Sequence, residues 1–180
     1  FPDFGGLGQM PLLHHDANWT QRGIATLAVR CETLFITSSN LVARIPRELS
    51  WAIAMWQRSL PAPEPLDAEG SAEAERGEEV FGEASCASCH VPPLYTLDTG
   101  IDVESIGTDP SAGLSSVRGT GRYRVPSLRG VGRTAPYLHH GVVPTLEAMF
   151  DPAREEPGHE HGLDLSDADR AALLAFLRTI

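Results

Sequence analysis

The sequence predicts a mainly α-helical fold with long loops, preceded by an N-terminal extension of loops and helices. Helices are indicated by apolar residues at helical spacing behind capping or proline residues. Between Pro92 and Asp164 the chain is rich in glycine and proline, so we expect loops to dominate there. A proline-rich stretch at residues 61–65 separates the two parts. We therefore expect an extension at residues 1–62 and a second domain at residues 66–180.

Composition limits the functions that the chain can have. A length of 180 residues suits one domain with a substantial extension, and an apolar content of 42% is ordinary for a globular protein. No run of about eighteen apolar residues occurs, so no membrane span is predicted. The formal net charge of −10 argues against nucleic acid and favours a basic protein partner.

The extension begins with irregular sequence and continues with ambiguous periodicity. The adjacent His14 and His15 are predicted to lie on a surface loop, although one of them could approach a cofactor. Apolar residues are frequent between residues 20 and 40, where the first part suits a helix and residues 33–37 suit a strand equally well. Cys31 has no evident partner and is predicted to be a small buried side chain.

A second helix of the extension is predicted from Pro46 to the proline-rich stretch. Proline is favoured in the first turn of a helix, and Glu48 follows it closely. Met55 lies at helical spacing beside tryptophans, which favours a role in the core over iron ligation.

Two longer helices and a short one at residues 145–150 are predicted for the second domain. The first covers residues 71–81 and contains Gly77, which costs about 1 kcal/mol relative to alanine inside a helix. We therefore expect another backbone to pass close to Gly77. The last helix is the predicted neighbour, since Ser166 and Asp169 form an N-terminal cap ahead of an apolar face.

The strongest chemical motif joins Cys86, Cys89 and His90. Two cysteines three positions apart, followed directly by histidine, form the attachment pattern for c-type haem. The thiols add to the two vinyl groups, and the imidazole becomes the proximal axial ligand of the iron. A zinc site would need two more ligands, and Cys31 is the single remaining thiol.

Further motifs extend beyond the haem pattern and support a family resemblance. The helix with a Gly/Phe pair, the haem motif and the terminal helix resemble a class I cytochrome c over residues 68–180. The chain is also similar to the C-terminal haem domain of the bacterial di-haem cytochrome c peroxidase superfamily, which includes the methylamine-dehydrogenase maturation enzyme and the latex oxygenases. This second resemblance rests on three segments: Arg124-Val125-Pro126-Ser127-Leu128-Arg129-Gly130, Thr134-Ala135-Pro136-Tyr137-Leu138-His139-His140-Gly141 and Pro144-Thr145-Leu146-Glu147.

The resemblance implies a periplasmic cytochrome with one covalent haem c and a protein redox partner. Members of the superfamily carry two haems, whereas this chain has one attachment motif, so electron transfer is predicted and peroxidase chemistry is not. The alternative is a peroxidase or oxygenase with an open iron position, for which His139, Glu147 or Glu160 could serve as acid or base. A third, less favoured hypothesis is a sensor in which a gas molecule displaces a weak distal ligand. Related proteins also hold calcium between their domains, which leaves calcium open as a second ligand.

The distal ligand and the propionate partners follow from the same resemblance. Gly158-His159-Glu160 looks like the segment that supplies a distal histidine in the latex-oxygenase branch, so His159 is predicted as the sixth ligand. The competing candidates are His161, Met149, His139 and His140. Arginines cluster around the Val-Pro-Ser-Leu segment, and paired hydrogen bonds from arginine suit haem propionates. The predicted partners are Arg124 and Arg129, with Tyr137 as a further contact.

Overall fold

The computed structural model describes residues 6–38 and 44–180, so residues 1–5 and 39–43 of the predicted extension lie outside the described residues. Within that part the helices are α1 (Ile24–Ser38), α2 (Arg47–Ser59), α3 (Ala72–Glu83), α4 (Val103–Ile106), α5 (Leu146–Met149) and α6 (Asp167–Leu177). Two antiparallel pairs of short strands join them, β1 (Leu12–Leu13) with β2 (Trp19–Thr20) and β3 (Gly100–Asp102) with β4 (Arg122–Arg124). The predicted fold class, mainly α with long loops, is confirmed.

Helices α3 and α6 pack against each other and form the frame of the second domain. Each begins at a serine whose hydroxyl accepts a backbone N–H at 3.1 Å: Ser71 from Ala74, and Ser166 from Asp169. A Cβ atom on Gly77 would overlap the carbonyl group of Ala172. The expectation that the last helix passes close to Gly77 is therefore confirmed.

The apolar core lies between these two helices and the loops that follow the haem motif. Phe81 of α3 packs on Phe176 of α6, with ring centroids 5.4 Å apart, and Leu173 is fully buried. On the outer side, Arg76 donates hydrogen bonds to Asp169 of α6 at 2.8 Å and to Glu83 of its own helix at 3.0 Å. The core and this charged contact hold α3 beside α6.

The extension folds as two helices that pack on each other. Helix α1 continues to Ser38, so the strand alternative for residues 33–37 is wrong, and the last residues of the predicted segment lie outside the described part. Helix α2 buries Ser50 and Ala54, which are four positions apart, against α1. Met55 lies on another face and is 54% exposed, so the predicted core role of this residue is wrong.

The proline-rich segment 61–65 has no helix or strand and lies against the second domain. The backbone N–H of Leu66 donates to the carbonyl of Arg178 at 2.9 Å, and the side chain of Arg133 donates to the carbonyl of Glu64 at 3.0 Å. The segment is thus fastened by backbone groups rather than by its own side chains. Among the described residues, no helix is long and apolar enough to cross a membrane.

Candidate haem site

A cavity of about 870 Å³ lies between the extension and the second domain. The second domain contributes Cys86, Cys89 and His90 to its wall, and the extension contributes Leu27 and Arg30. Most of the remaining lining is apolar, as a site for a large hydrophobic cofactor requires. The structure thus brings the haem motif to the wall of a cavity that both parts of the chain enclose.

His90 is oriented for ligation by the turn that carries the motif. Residues Cys86–Ser88 form a 3₁₀ turn directly after α3, and the N–H of His90 donates to the carbonyl of Cys86 at 2.9 Å. The Nδ1 atom of His90 lies 3.0 Å from the carbonyl oxygen of Tyr95. Because a carbonyl can only accept, Nδ1 carries the proton and Nε2 keeps its lone pair for a metal. Burial lowers the pKa of His90, which favours the neutral, ligating form.

His159 faces His90 across the cavity. Their ring centroids are 6.2 Å apart. A metal–imidazole bond is about 2 Å long and the ring centre lies about 1 Å further, so two imidazoles on one iron have centroids about 6 Å apart. Burial, and then the nearby His90, lower the pKa of His159 to about 4, so His159 is neutral at pH 7. The buried Nδ1 atom of His159 has no hydrogen-bond partner within the described part of the chain.

Backbone contacts from distant segments hold His159 in place. Its N–H donates to the carbonyl of Ile106 at 2.8 Å, and its carbonyl accepts from Arg154 Nη2 at 3.2 Å. Gly158 has a φ of +90°, and a Cβ atom there would overlap the backbone of Thr108. Only glycine meets both conditions without strain, so this residue fixes the approach of the loop that carries His159.

Two of the competing ligand candidates lie near the same site. His161 lines the cavity but is exposed, and its ring packs edge-on against His159 with centroids 5.8 Å apart. Met149 is buried in the core cluster with Phe150 and Leu173, although it also reaches the cavity wall. Neither residue has the opposed ring placement relative to His90 that the structure gives to His159.

The other two histidines belong to a stack on a different part of the wall. His139 lies between Tyr123 and His140, with ring centroids 4.4 Å from each. The hydroxyl of Tyr123 is 3.3 Å from His139 Nε2. Among the described residues, no three His, Cys, Asp or Glu side chains converge as a metal site. Calcium remains a prediction.

The predicted propionate partners differ in whether they line the cavity. Arg124 lines the cavity, and its Nε atom is buried without a partner among the described residues. Arg129 is exposed and is absent from the cavity lining, although its neighbour Leu128 belongs to that lining. Tyr137 lines the cavity while its hydroxyl donates to the carbonyl of Val131 at 2.8 Å. The structure therefore brings Arg124 and Tyr137 to the cavity, and leaves Arg129 outside it.

Several cavity residues come from the extension and were not predicted as site residues. His14 and His15 lie on a loop as predicted, and His15 is exposed, but both residues also line the cavity. The hairpin of β1 and β2 causes this, since it places the turn that carries them beside the second domain. Cys31 is buried as predicted, and it also lines the cavity. Arg30 is the unforeseen charged residue, although its position on the same face of α1 as Leu27 was a signal that the sequence offered.

Comparisons with known proteins agree with this site. A family model described as "RoxA-like, cytochrome c-like" matches residues 121–157, which include Arg124 and Tyr137 of the cavity wall. The methylamine utilization protein MauG of Methylorubrum extorquens is 31% identical over 155 residues, covering 74% of this chain and 44% of that protein. Cytochrome c peroxidase Ccp of Escherichia coli is 29% identical over 124 residues, covering 61% of this chain and 25% of that protein. The chain thus spans less than half the length of these relatives.

Solved structures share the fold. A MauG-like protein associated with microbial copper homeostasis matches 99% of this chain and 72% of its own, with a TM-score of 0.66 and 20% identity. The hydrazine synthase of Kuenenia stuttgartiensis matches 98% of this chain and 70% of its own, with a TM-score of 0.68 and 16% identity. The family-model match, the sequence relatives and the haem motif on the cavity wall imply haem-based redox chemistry. They support the similarity of this chain to the bacterial di-haem cytochrome c peroxidase superfamily, with a cytochrome c-like domain that has a single haem attachment motif.

Proposed function

We propose that the chain is a periplasmic mono-haem c-type cytochrome that exchanges electrons with a protein redox partner. The observation that carries this proposal is the pair His90 and His159, whose ring centroids are 6.2 Å apart, close to the spacing that two imidazoles on one iron need. If His90 and His159 both bound the iron of a haem held here, no position would remain for peroxide or oxygen. This arrangement favours electron transfer over the alternative, a peroxidase or oxygenase.

The residues on the cavity wall fit a covalent haem c. Cys86 and Cys89 present thiols beside His90, and His159 stands opposite with a neutral imidazole. When bound there, the haem supplies a one-electron exchange between ferric and ferrous iron. The protein holds the two imidazoles by backbone contacts, which would present both of them to the iron. A second imidazole in place of a thioether also favours a lower reduction potential.

The remaining assignments follow from the charges of the site and the surface. Arg124 offers a buried guanidinium without a carboxylate within salt-bridge distance in the described part of the chain, and it would pair with a haem propionate. Tyr137 packs on the wall with its hydroxyl already bonded to Val131. The net charge of −10 suits a basic redox partner, and covalent haem attachment suits the periplasm.

The distal assignment is tested by replacing His159 with alanine and recording the optical and low-temperature paramagnetic resonance spectra of the ferric protein. We expect low-spin iron that does not react with peroxide in the unchanged protein, and high-spin iron in His159→Ala. The matched control is His161→Ala, which removes the exposed neighbouring ring and should leave the iron low-spin.

Two outcomes would contradict the proposal. An unchanged low-spin spectrum in His159→Ala would show that another residue is the sixth ligand. High-spin iron in the unchanged protein, with conversion to an oxidised species on adding peroxide, would favour the peroxidase or oxygenase.

A further inference from the structure

Arg30 of α1 is a buried cationic side chain that faces the cavity from the extension. It is 8% exposed and lines the cavity opposite the wall of the second domain. Its Nε atom donates to His14 Nε2 at 2.5 Å, and its guanidinium lies over the ring of Trp19, 5.8 Å from the centroid. These contacts orient the group and neutralise none of its charge.

The two terminal nitrogens of Arg30 are left for a ligand. Within residues 6–38 and 44–180 neither Nη atom makes a hydrogen bond, and no carboxylate oxygen lies within 4.0 Å of the guanidinium. The side chain of Arg30 lines the cavity, so the space beside it can receive a ligand. A buried guanidinium without an anion is costly, which indicates that this space receives a negative charge.

The surroundings of Arg30 are positive although the chain as a whole carries a net charge of −10. Arg118 is close enough to lower the pKa of Arg30, after the larger effect of burial, and Arg124 lines the same cavity. Asp16 is the nearby acid that opposes this effect, and its carboxylate makes a hydrogen bond with Asn18 at 2.8 Å. Positive charge is thus concentrated around Arg30, although the protein as a whole is acidic.

We propose that Arg30 supplies a guanidinium to a haem propionate, so that the extension is a haem-binding element. The proposal rests on the proposed haem site and adds to it the role of the extension. Arg124 from the second domain and Arg30 from the extension then provide one guanidinium each for two propionates. Arg30 then has the role of second propionate partner, which the sequence predicts for Arg129. The side chain of Arg129 is exposed. The haem carboxylates tie the two parts of the chain together.

The experiment compares Arg30→Gln with Arg22→Gln in the haem-loaded protein. Arg22 is exposed and outside the cavity, so its replacement removes the same charge without touching the site. The two readouts are the propionate-bending bands in resonance Raman spectra and the midpoint potential. We expect Arg30→Gln to shift the bands and to lower the potential, because loss of a nearby cation favours ferric haem. Arg22→Gln should change neither.

A purely structural role for Arg30, through His14 and Trp19, predicts lower stability with unchanged bands and potential, and that result would overturn the proposal. If Arg30→Gln does not fold, Arg30→Lys keeps the charge and removes the planar fork. It should shift the bands while the potential stays near that of the unchanged protein, and unchanged bands would again overturn the proposal. Failure of the haem-site proposal is read separately, from the spin state in His159→Ala.

Discussion

The frame of the second domain and the loop that carries His159 each contain a glycine that lets another backbone approach closely, but the two glycines have different roles. In the frame, Gly77 of α3 lets the carbonyl of Ala172 approach, and both residues belong to long helices that share an apolar core. In the loop, Gly158 lets the backbone of Thr108 approach, and it also has a φ of +90°. Gly77 therefore allows two helices to pack closely, whereas Gly158 positions the single side chain of His159.

The difference indicates that stability and iron coordination depend on separate contacts. The frame contributes Val80 and Phe81 of α3 and Leu173, Phe176 and Leu177 of α6 to the apolar core, and the haem motif follows α3. The loop depends on a few hydrogen bonds to the backbone of His159, whose N–H donates to the carbonyl of Ile106 and whose carbonyl accepts from Arg154 Nη2. Alanine at each glycine should therefore separate the two properties.

The largest effect on stability is expected from Gly77→Ala. The added methyl group would overlap the Ala172 carbonyl and Phe176, and overpacking of this kind costs about 1–3 kcal/mol. Denaturant unfolding should show this loss, while the folded fraction keeps low-spin iron. Gly82→Ala is the control, since nothing lies within 4 Å of its Cβ position on the same helix. That variant should gain up to about 1 kcal/mol. Equal stability in the two variants would contradict the helix contact.

The next effect is on the iron, and it is expected from Gly158→Ala. The methyl group would meet the backbone of Thr108, so the loop must move and His159 should leave its place opposite His90. Paramagnetic resonance should then show a substantial high-spin fraction at neutral pH. Gly70→Ala is the control, because Gly70 has a φ of +94° with nothing within 4 Å. It carries the same backbone cost without the clash and should remain low-spin. A fully low-spin Gly158→Ala would show that the loop does not need this contact.

The smallest effect concerns acid sensitivity of the frame. Hydrogen bonds from Arg76, and then from Ser166, hold the pKa of Asp169 below its usual value. A depressed pKa means that the ion pair stabilises the fold above the unfolded pKa, about 4, and that this contribution is lost as the pH falls through the folded value. Both side chains are largely exposed, so solvent screens the pair and the effect is small.

Thermal unfolding between pH 6 and pH 2 measures this contribution. The melting temperature of the unchanged protein should fall more steeply below about pH 4 than that of Arg76→Gln, which lacks the pair. Arg122→Gln is the control, because it breaks an exposed pair with Asp102 away from the frame. Parallel curves for the unchanged protein and Arg76→Gln would show that the pair does not stabilise the contact between α3 and α6.

Local signals predicted the frame well. Ser71 and Ser166 cap their helices as the sequence indicates, and Gly77 inside a helix correctly signalled the neighbouring backbone. These features depend on residues a few positions apart, or on one conspicuous glycine. The haem motif is local in the same sense, because three residues within one turn specify both the covalent bonds and the proximal ligand.

The rest of the site depends on contacts between distant segments, which periodicity does not contain. Arg124 and Arg129 look equivalent in sequence, but the folded chain places Arg124 in the cavity wall and leaves Arg129 exposed. Arg30 is on the buried face of α1, and its relation to the cavity exists only once the extension has docked. His159 was predicted from a family resemblance, since no local pattern distinguishes it from His161.

The proline-rich segment has a consequence for assembly. A Cβ atom at Gly130 would overlap Pro63, and the carbonyl of Arg178 holds the chain immediately after the prolines. To exchange the extension between two copies of the chain, the segment 61–65 would have to detach from its own second domain and bind to the second domain of the other copy. Such a swapped dimer would lose the backbone hydrogen bonds of the segment during the exchange, so the fastening imposes a kinetic barrier. Each copy of the protein is thereby expected to complete its cavity with its own extension.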